Sequence, residues 1–132
     1  MTLPTDKTER KNLPLCTGVL DYFPDAIAAV AFTSKVGNDQ HNPGQPLHWA
    51  KEKSTDHADC ILRHLVDRGT VDTDGVRHSA KVAWRALALL QTEIDDEREN
   101  QYLPEDYKQQ LEKYKQNSVS GTISGDAINA KT

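Results

Sequence analysis

The chain is poor in most of the features that would assign it early. Its 132 residues include only two cysteines, Cys16 and Cys60, too few and too far apart for a zinc-ligand spacing or a disulfide framework. No apolar run approaches the ~20 residues of a membrane span. The stretch from Met1 to Leu15 is polar and lacks the apolar core of a signal peptide. A cytoplasmic protein with no membrane partner is therefore expected. Net positive charge is absent too, since 16 basic residues against 20 acidic ones leave −4. That balance argues against non-specific binding of duplex nucleic acid, where affinity comes from neutralising phosphates. Aromatic residues make up 6% and hydrophobic residues 36% of the chain, and mean hydropathy is −0.71, so any core is modest. A mass of 14.7 kDa fits one domain. No segment alternates as a strand, and there is no internal repeat.

What is present is helical periodicity. Residues 1–14 carry five charges and two prolines and read as an extended arm. A first helix is predicted to open at Asp21-Tyr-Phe-Pro24-Asp25, with Asp21 as cap and Pro24 near the first helical position. It continues through Ala26-Ile-Ala-Ala-Val-Ala-Phe32, apolar nearly all round as in a buried bundle helix, and stops at Gly37-Asn38-Asp39. Residues 38–53 form a long loop with a turn at Asn42-Pro43-Gly44; loops of that length in a small domain are usually functional. Ser54-Thr55-Asp56 caps a second helix with Ala58, Ile61, Leu62 and Leu65 on its apolar face and Gly69 as its stop. After the acidic turn Asp72-Thr-Asp-Gly75, a third helix runs from about Val76 to about Asp95, with Val82, Ala83, Ala86, Leu87, Leu90 and Ile94 at helical spacing. Pro104-Glu-Asp opens a weaker fourth helix to about Gln116, and residues 117–132, rich in Ser, Gly and Thr, read as a flexible tail. The expectation is an all-α bundle of three main helices plus a C-terminal one. Its domain covers 15–116, with a long functional loop between the first two helices. The apolar first helix would leave hydrophobic surface uncovered on a monomer, so a homo-oligomer is expected.

The polar residues between Asn38 and Arg85 are not those of a solvated helix face. The second helix carries Asp56, His57, Asp59, Arg63 and His64. The third opens with His78, Lys81 and Arg85 on one stripe, three and four residues apart. In an antiparallel hairpin about the turn near Asp72, positions equidistant from the turn face each other, which sets His64 near His78 and Lys81. Asp59 lies about a turn further along. Carboxylates and imidazoles converging beside Lys and Arg suit a divalent cation plus phosphate. Each residue also has a plain structural role. Asp56 suits the first turn of a helix, Asp72 and Asp74 suit caps of the third helix, and a helix histidine is usually a hydrogen-bonded neighbour. Trp49 fits either an anchor for the loop or a stacking surface for a base.

The segment Leu15 to Glu93 resembles the phage dATP/dGTP diphosphohydrolase family. The resemblance is carried by Gly18-Val-Leu-Asp-Tyr-Phe-Pro24, Ser34-Lys35-Val-Gly37, His41-Asn42-Pro-Gly44 and Trp49. It continues in Lys53-Ser-Thr-Asp56-His57-Ala-Asp59, Arg63-His64-Leu65, Asp72-Thr-Asp74-Gly75-Val-Arg77-His78 and Ala83-Trp84-Arg85. The resemblance implies hydrolysis of purine deoxynucleoside triphosphates, dGTP or dATP, to monophosphate and pyrophosphate with Mg²⁺ or Mn²⁺, reshaping the nucleotide pool in the cytoplasm of an infected host. By analogy it also points to MazG-type all-α pyrophosphohydrolases. Those hold metal through E-E-x-x-E and E-x-x-D pairs, whereas here the facing helices offer Asp56-x-x-Asp59 and His78-x-x-Lys81, so the ligand set differs.

On this reading Asp59, with Asp56, Asp72 or His78, positions the cation, and His64 serves as base or as orienter of a ligand. Lys81, Arg85 or Lys35 stabilises the leaving pyrophosphate, Trp49 with Asn42 or His41 grips the base, and Lys53 and Arg63 complete the substrate contacts. The alternative, motivated by the thin supply of carboxylates, is a sponge or regulatory protein that binds a purine nucleotide without cleaving it.

Overall fold

Helix formation in this chain is decided by prolines, caps and ion pairs more than by burial. The computed structural model describes residues 3–101 and 105–126, and five α-helices account for most of them. Among the described residues the only β-pairing is one antiparallel bridge between Val71 and Arg77, so the fold is all-α as expected. The chain divides into two compact units, residues 1–90 and 91–132. The features below belong to the first unit unless stated. No single helix among the described residues is long and apolar enough to cross a membrane.

The N-terminal arm is not wholly extended. Lys7–Lys11 form a short helix, α1, because Asp6 caps it, its Oδ1 accepting from the amides of Thr8 and Glu9 at 2.9 Å each. Asp6 with Glu9 three residues on is a capping pattern that outweighs the flanking prolines. A π-turn over Cys16–Leu20 follows. Gly18 packs so closely on Pro14 that a Cβ there would lie 3.1 Å from the proline ring. Asp21 does not cap the next helix; its carboxylate accepts from the Cys16 thiol at 3.5 Å.

Helix α2 spans Pro24–His41, with Pro24 at its start and Asp25 in the first turn. It passes through Gly37 instead of stopping there. An ion pair between Lys35 and Asp39, one turn apart, straddles the glycine. The stop is Pro43, which cannot continue a helix and forces Asn42 out of the helical region, to φ −135° and ψ 60°. The turn itself, closed by the Gln45 amide on the Asn42 carbonyl at 3.1 Å, places Gly44 at φ +73°, where a side chain would be strained. Asn38, expected in the loop, is instead buried in the last turns of α2. Its Nδ2 donates to the Gln45 carbonyl and its Oδ1 accepts from the His48 amide, both at 3.1 Å. One amide side chain thus ties the loop to the helix.

The loop includes a 3₁₀ turn at Lys51–Lys53 and leads to α3, His57–Val66. Asp56 occupies the cap position but makes no side-chain cap bond; it pairs with Arg63 at 2.7 Å. The helix ends three residues before Gly69, which follows in a turn at φ +86°. A tight turn joins α3 to α4, His78–Gln101. The Asp72 amide donates to the Val76 carbonyl at 2.8 Å, the Gly75 amide donates to the Asp72 carbonyl at 2.9 Å, and Gly75 sits at φ +80°. Helix α4 starts two residues later and ends six residues later than predicted, running from the first unit into the second. In the second unit α5 spans Glu105–Asp126, past the predicted end at Gln116 and into the segment predicted to be a flexible tail. Residues 127–132 of that tail lie outside the described residues.

The core differs from expectation. Among the described residues the buried hydrophobic ones are Cys60, Val76, Ala80 and Ala88, none of them large. The run Ala26–Phe32 is half-buried to exposed, with Phe32 54% exposed. Leu87 and Leu90 of the predicted core stripe of α4 are outside, because α4 turns Lys81, Trp84 and Arg85 inward instead. Since Asn38 is buried and bonds the loop at two points, Asn38→Ala should destabilise the protein by about 1–3 kcal/mol, the cost of leaving the loop groups unpaired. Urea unfolding checks this, and an unchanged midpoint would contradict the anchoring role.

Candidate functional site

Helices α3 and α4 form an antiparallel hairpin, and the site lies along its seam. His64 and His78 are separated by 14 positions and meet with their Nδ1 atoms 2.9 Å apart. His57 and Arg85 are separated by 28 and meet at 3.3 Å. Both pairs are centred on residue 71, so the equidistance predicted from the sequence holds, with Val71 as its midpoint. A guanidinium has only donors, so His57 Nδ1 accepts from Arg85 and the ring proton sits on Nε2. That Nε2 is buried without a hydrogen-bond partner among the described residues.

Between the two imidazoles of the upper pair one nitrogen donates and the other accepts. Burial, with the nearby charges of Lys81 and His78, holds the His64 pKa below its ordinary value, so its ring is neutral at pH 7. His64, His78 and Asp72 can each offer a ligand atom, and these atoms lie within 4.8 Å of one another. They form a possible metal-binding triad.

The acidic turn faces a lysine. Lys81 Nζ donates to Asp72 Oδ2 at 2.6 Å and to Asp74 Oδ2 at 2.7 Å, and all three side chains are largely screened from solvent. Burial works to lower the Lys81 pKa, but the two carboxylates outweigh it and hold it above the usual value. The lysine in turn pulls Asp72 down to about 2, helped by the Thr73 amide on its other oxygen. Asp74 is lowered for the same reason, and its carboxylate also accepts from the Val76 amide and from Gln40 Nε2 of α2.

A cavity of about 570 Å³ opens between the end of α2, the loop and this seam, a size suited to a nucleotide-scale ligand. It collects most of the predicted binding residues: His41, Asn42, Trp49, Lys53, His64, Lys81 and Arg85 all line it. Trp49 and Trp84 meet edge to face, with ring centroids 5.6 Å apart, so Trp49 anchors the loop and borders the cavity at once. The Lys51 ammonium lies 5.1 Å from the Trp49 ring and the Arg85 guanidinium 5.6 Å from the Trp84 ring.

Other predicted residues lie elsewhere. Lys35 is exposed and paired with Asp39. Asp56 and Arg63 pair with each other in solvent. Asp59 sits in the first turn of α3 because the helix begins at His57, and it is exposed, not buried on the seam. None of these four lines the cavity. Asp72 and His78 join it through their contacts with Lys81 and His64. Sequence reasoning gave no site role to Asn38, buried behind the loop, to His57 behind Arg85 or to Trp84 beside Trp49, and it took Asp74 as a cap, since the link to Gln40 across 34 positions leaves no local signal.

The pairing with Lys81 sets an acid dependence. A carboxyl whose folded pKa is depressed stabilises the native state fully above its unfolded value, near 3.8, and loses that contribution as pH falls towards about 2. The melting temperature of the wild type should drop across that window. Lys81→Met should melt lower at neutral pH and show a shallower drop, as thermal melts over a pH series will reveal; parallel curves would show that the pair does not govern acid sensitivity.

No family model matches the sequence, and no curated protein or solved structure matches it significantly either.

Proposed function

We propose that the chain binds a purine deoxynucleoside triphosphate in the cavity between α2 and the α3–α4 seam and hydrolyses it to monophosphate and pyrophosphate with a divalent cation. The observation that carries this reading is the meeting of three chemistries in one cavity. Arg85 and Lys53 supply positive charge, the Trp49–Trp84 pair supplies aromatic surface, and His64 connects to Asp72 and His78. The resemblance of Leu15–Glu93 to the phage dATP/dGTP diphosphohydrolases supplies the substrate class.

The donor chemistry fits a metal. Two imidazoles and a carboxylate, with His64 held neutral by burial, suit Mn²⁺ or another first-row ion better than Mg²⁺, which prefers an all-oxygen shell. Such a cation, when bound, supplies an acidified water and offsets phosphate charge. The chain's own residues do the rest. His64 acts as ligand in place of base. Arg85, oriented by His57, and Lys53 bind phosphate oxygens. Asn42 and His41, at the end of α2, contact the sugar or base, and Trp49 stacks against the base.

A second reading, binding without cleavage, is favoured by Lys81. It already neutralises Asp72 and Asp74 and leaves the cavity wall with a bound cation of the protein's own.

Incubation with each dNTP and Mn²⁺ or Mg²⁺, followed by chromatography, should yield monophosphate and pyrophosphate from dGTP or dATP. Folded protein that turns over no nucleotide rejects the enzyme, and nucleotide that binds in EDTA and is released intact establishes the second reading. Within the first, His64→Ala and Asp72→Asn should each reduce turnover by about 100-fold or more, the usual cost of losing a ligand or catalytic group. Exposed Asp59, changed to Asn, should leave turnover within about threefold, since surface changes away from a site cost little. Loss of activity in Asp59→Asn would move the metal to the outer edge of α3.

A further inference from the structure

Gly37 has no reason within the protein to be a glycine. It lies inside α2, four residues before the last one, where glycine is a poor helix former. Positive φ does not require it, since among the described residues only Gly44, Gly69 and Gly75 take that conformation. Close packing does not require it either, because a Cβ at Gly37 would meet nothing within 4 Å. What Gly37 does is line the cavity. At about 100° per residue, Thr33, Ser34, Gln40 and His41 fall within about 60° of it on either side, and all four line the cavity too. Gly37 is therefore the centre of the arc that α2 turns to the cavity, and the missing Cβ would point into it. The Lys35–Asp39 pair, two residues away in each direction, stands on the opposite face.

We infer that Gly37 is a specificity-determining residue for the nucleotide, whose base lies flat on the bare backbone of α2 in the space a side chain would take. This placement rests on the nucleotide binding proposed for the cavity, not on cleavage. The chemistry of the arc decides which part of the ligand it meets. Its five residues include no lysine, arginine or carboxylate, and Lys35 is turned away and paired. The amides inside α2 are taken up by the helix's own hydrogen bonds, and the Thr33 hydroxyl donates to the Ala29 carbonyl at 2.9 Å. Such a wall has little to offer a phosphate. Arg85 on α4 and Lys53 in the loop line the same cavity and take that end of the ligand. A strip of helix without a side chain suits the face of a flat ring, which gains dispersion contacts over its whole area. Aromatic cover is at hand as well. Asn38 Oδ1 accepts from the His48 amide at 3.1 Å, so Gly37 and Trp49 each lie one residue from the same tie between α2 and the loop. Indole and bare helix thus border one end of the cavity. The helix gives up propensity at Gly37 for this room, and the ion pair behind it makes up part of the loss.

Calorimetric titration of the full chain in Mn²⁺ with the α,β-methylene analogues of dATP and dGTP, which resist cleavage at that linkage, tests this on Gly37→Ala. The added methyl group should weaken whichever analogue the wild type binds at least ~10-fold, as an extra methylene does in a fitted pocket. The same variant should melt roughly 3–5 °C higher, since alanine is the better helix former and its Cβ meets no protein atom. Affinity and stability then move in opposite directions, which loss of structure would not produce. Inorganic tripolyphosphate, which has no base, should bind variant and wild type equally well. Unchanged binding of the analogues to Gly37→Ala overturns the inference while leaving nucleotide binding intact. A variant that melts lower overturns it too, because the space then belongs to the protein. So does one that loses tripolyphosphate as much as the analogues, because the methyl group then acts on the phosphate end. A wild type that binds neither analogue removes the inference and the nucleotide reading together.

Discussion

The ammonium of Lys81, held between Asp72 and Asp74, is the contact on which the rest of the site depends. It fastens the first turn of α4 to the turn that reverses the chain. Through the Asp74 carboxylate and Gln40 it reaches the end of α2. Removed, it would leave two carboxylates close together in partly screened surroundings, where like charge is costly. In place, it fixes the turn geometry that sets His64 against His78 and so positions every side chain along the seam.

How legible this was depends on whether a residue's partner lies nearby in sequence. Hairpin symmetry is a local rule, so the meeting of His64 with His78 followed from spacing alone. Pro43 as the end of α2 was equally readable, but Gly37 drew attention first; an ion pair spanning the glycine offset its weak helix propensity. Asp56 shows the opposite failure. Its cap position was nearly right, yet a guanidinium seven residues on competed successfully for its carboxylate. Asp59 was misjudged because it lies five residues from His64, about 140° round the helix, and so cannot share the face that His57 and His64 hold seven residues apart. Asn38, and the tie of Asp74 to Gln40, were beyond reach, since each depends on a loop or helix that only the fold brings near.

The apolar pattern was read correctly as helical and wrongly as inward. Periodicity identifies which residues share a face, but not which face meets the rest of the same chain. In α4 the stripe of Ala86, Leu87 and Leu90 and the stripe of Lys81 and Arg85 are both regular. Only the charges on the acidic turn decide that the second one faces in. A sequence can therefore hide its own core when a polar seam takes priority, and the shortage of buried hydrophobic residues in the first unit is the visible result.

The edge-to-face tryptophan pair carries a spectroscopic consequence. The chain has two tryptophans, Trp49 and Trp84, and both border the cavity. All indole emission from this protein therefore originates at one place, from two rings close enough to exchange excitation and each near a cationic side chain. Whatever enters the cavity changes the polarity and quenching around both rings at once, with no other indole in the sequence to dilute the tryptophan signal. The protein carries its own optical reporter of occupancy, and a titration needs no label.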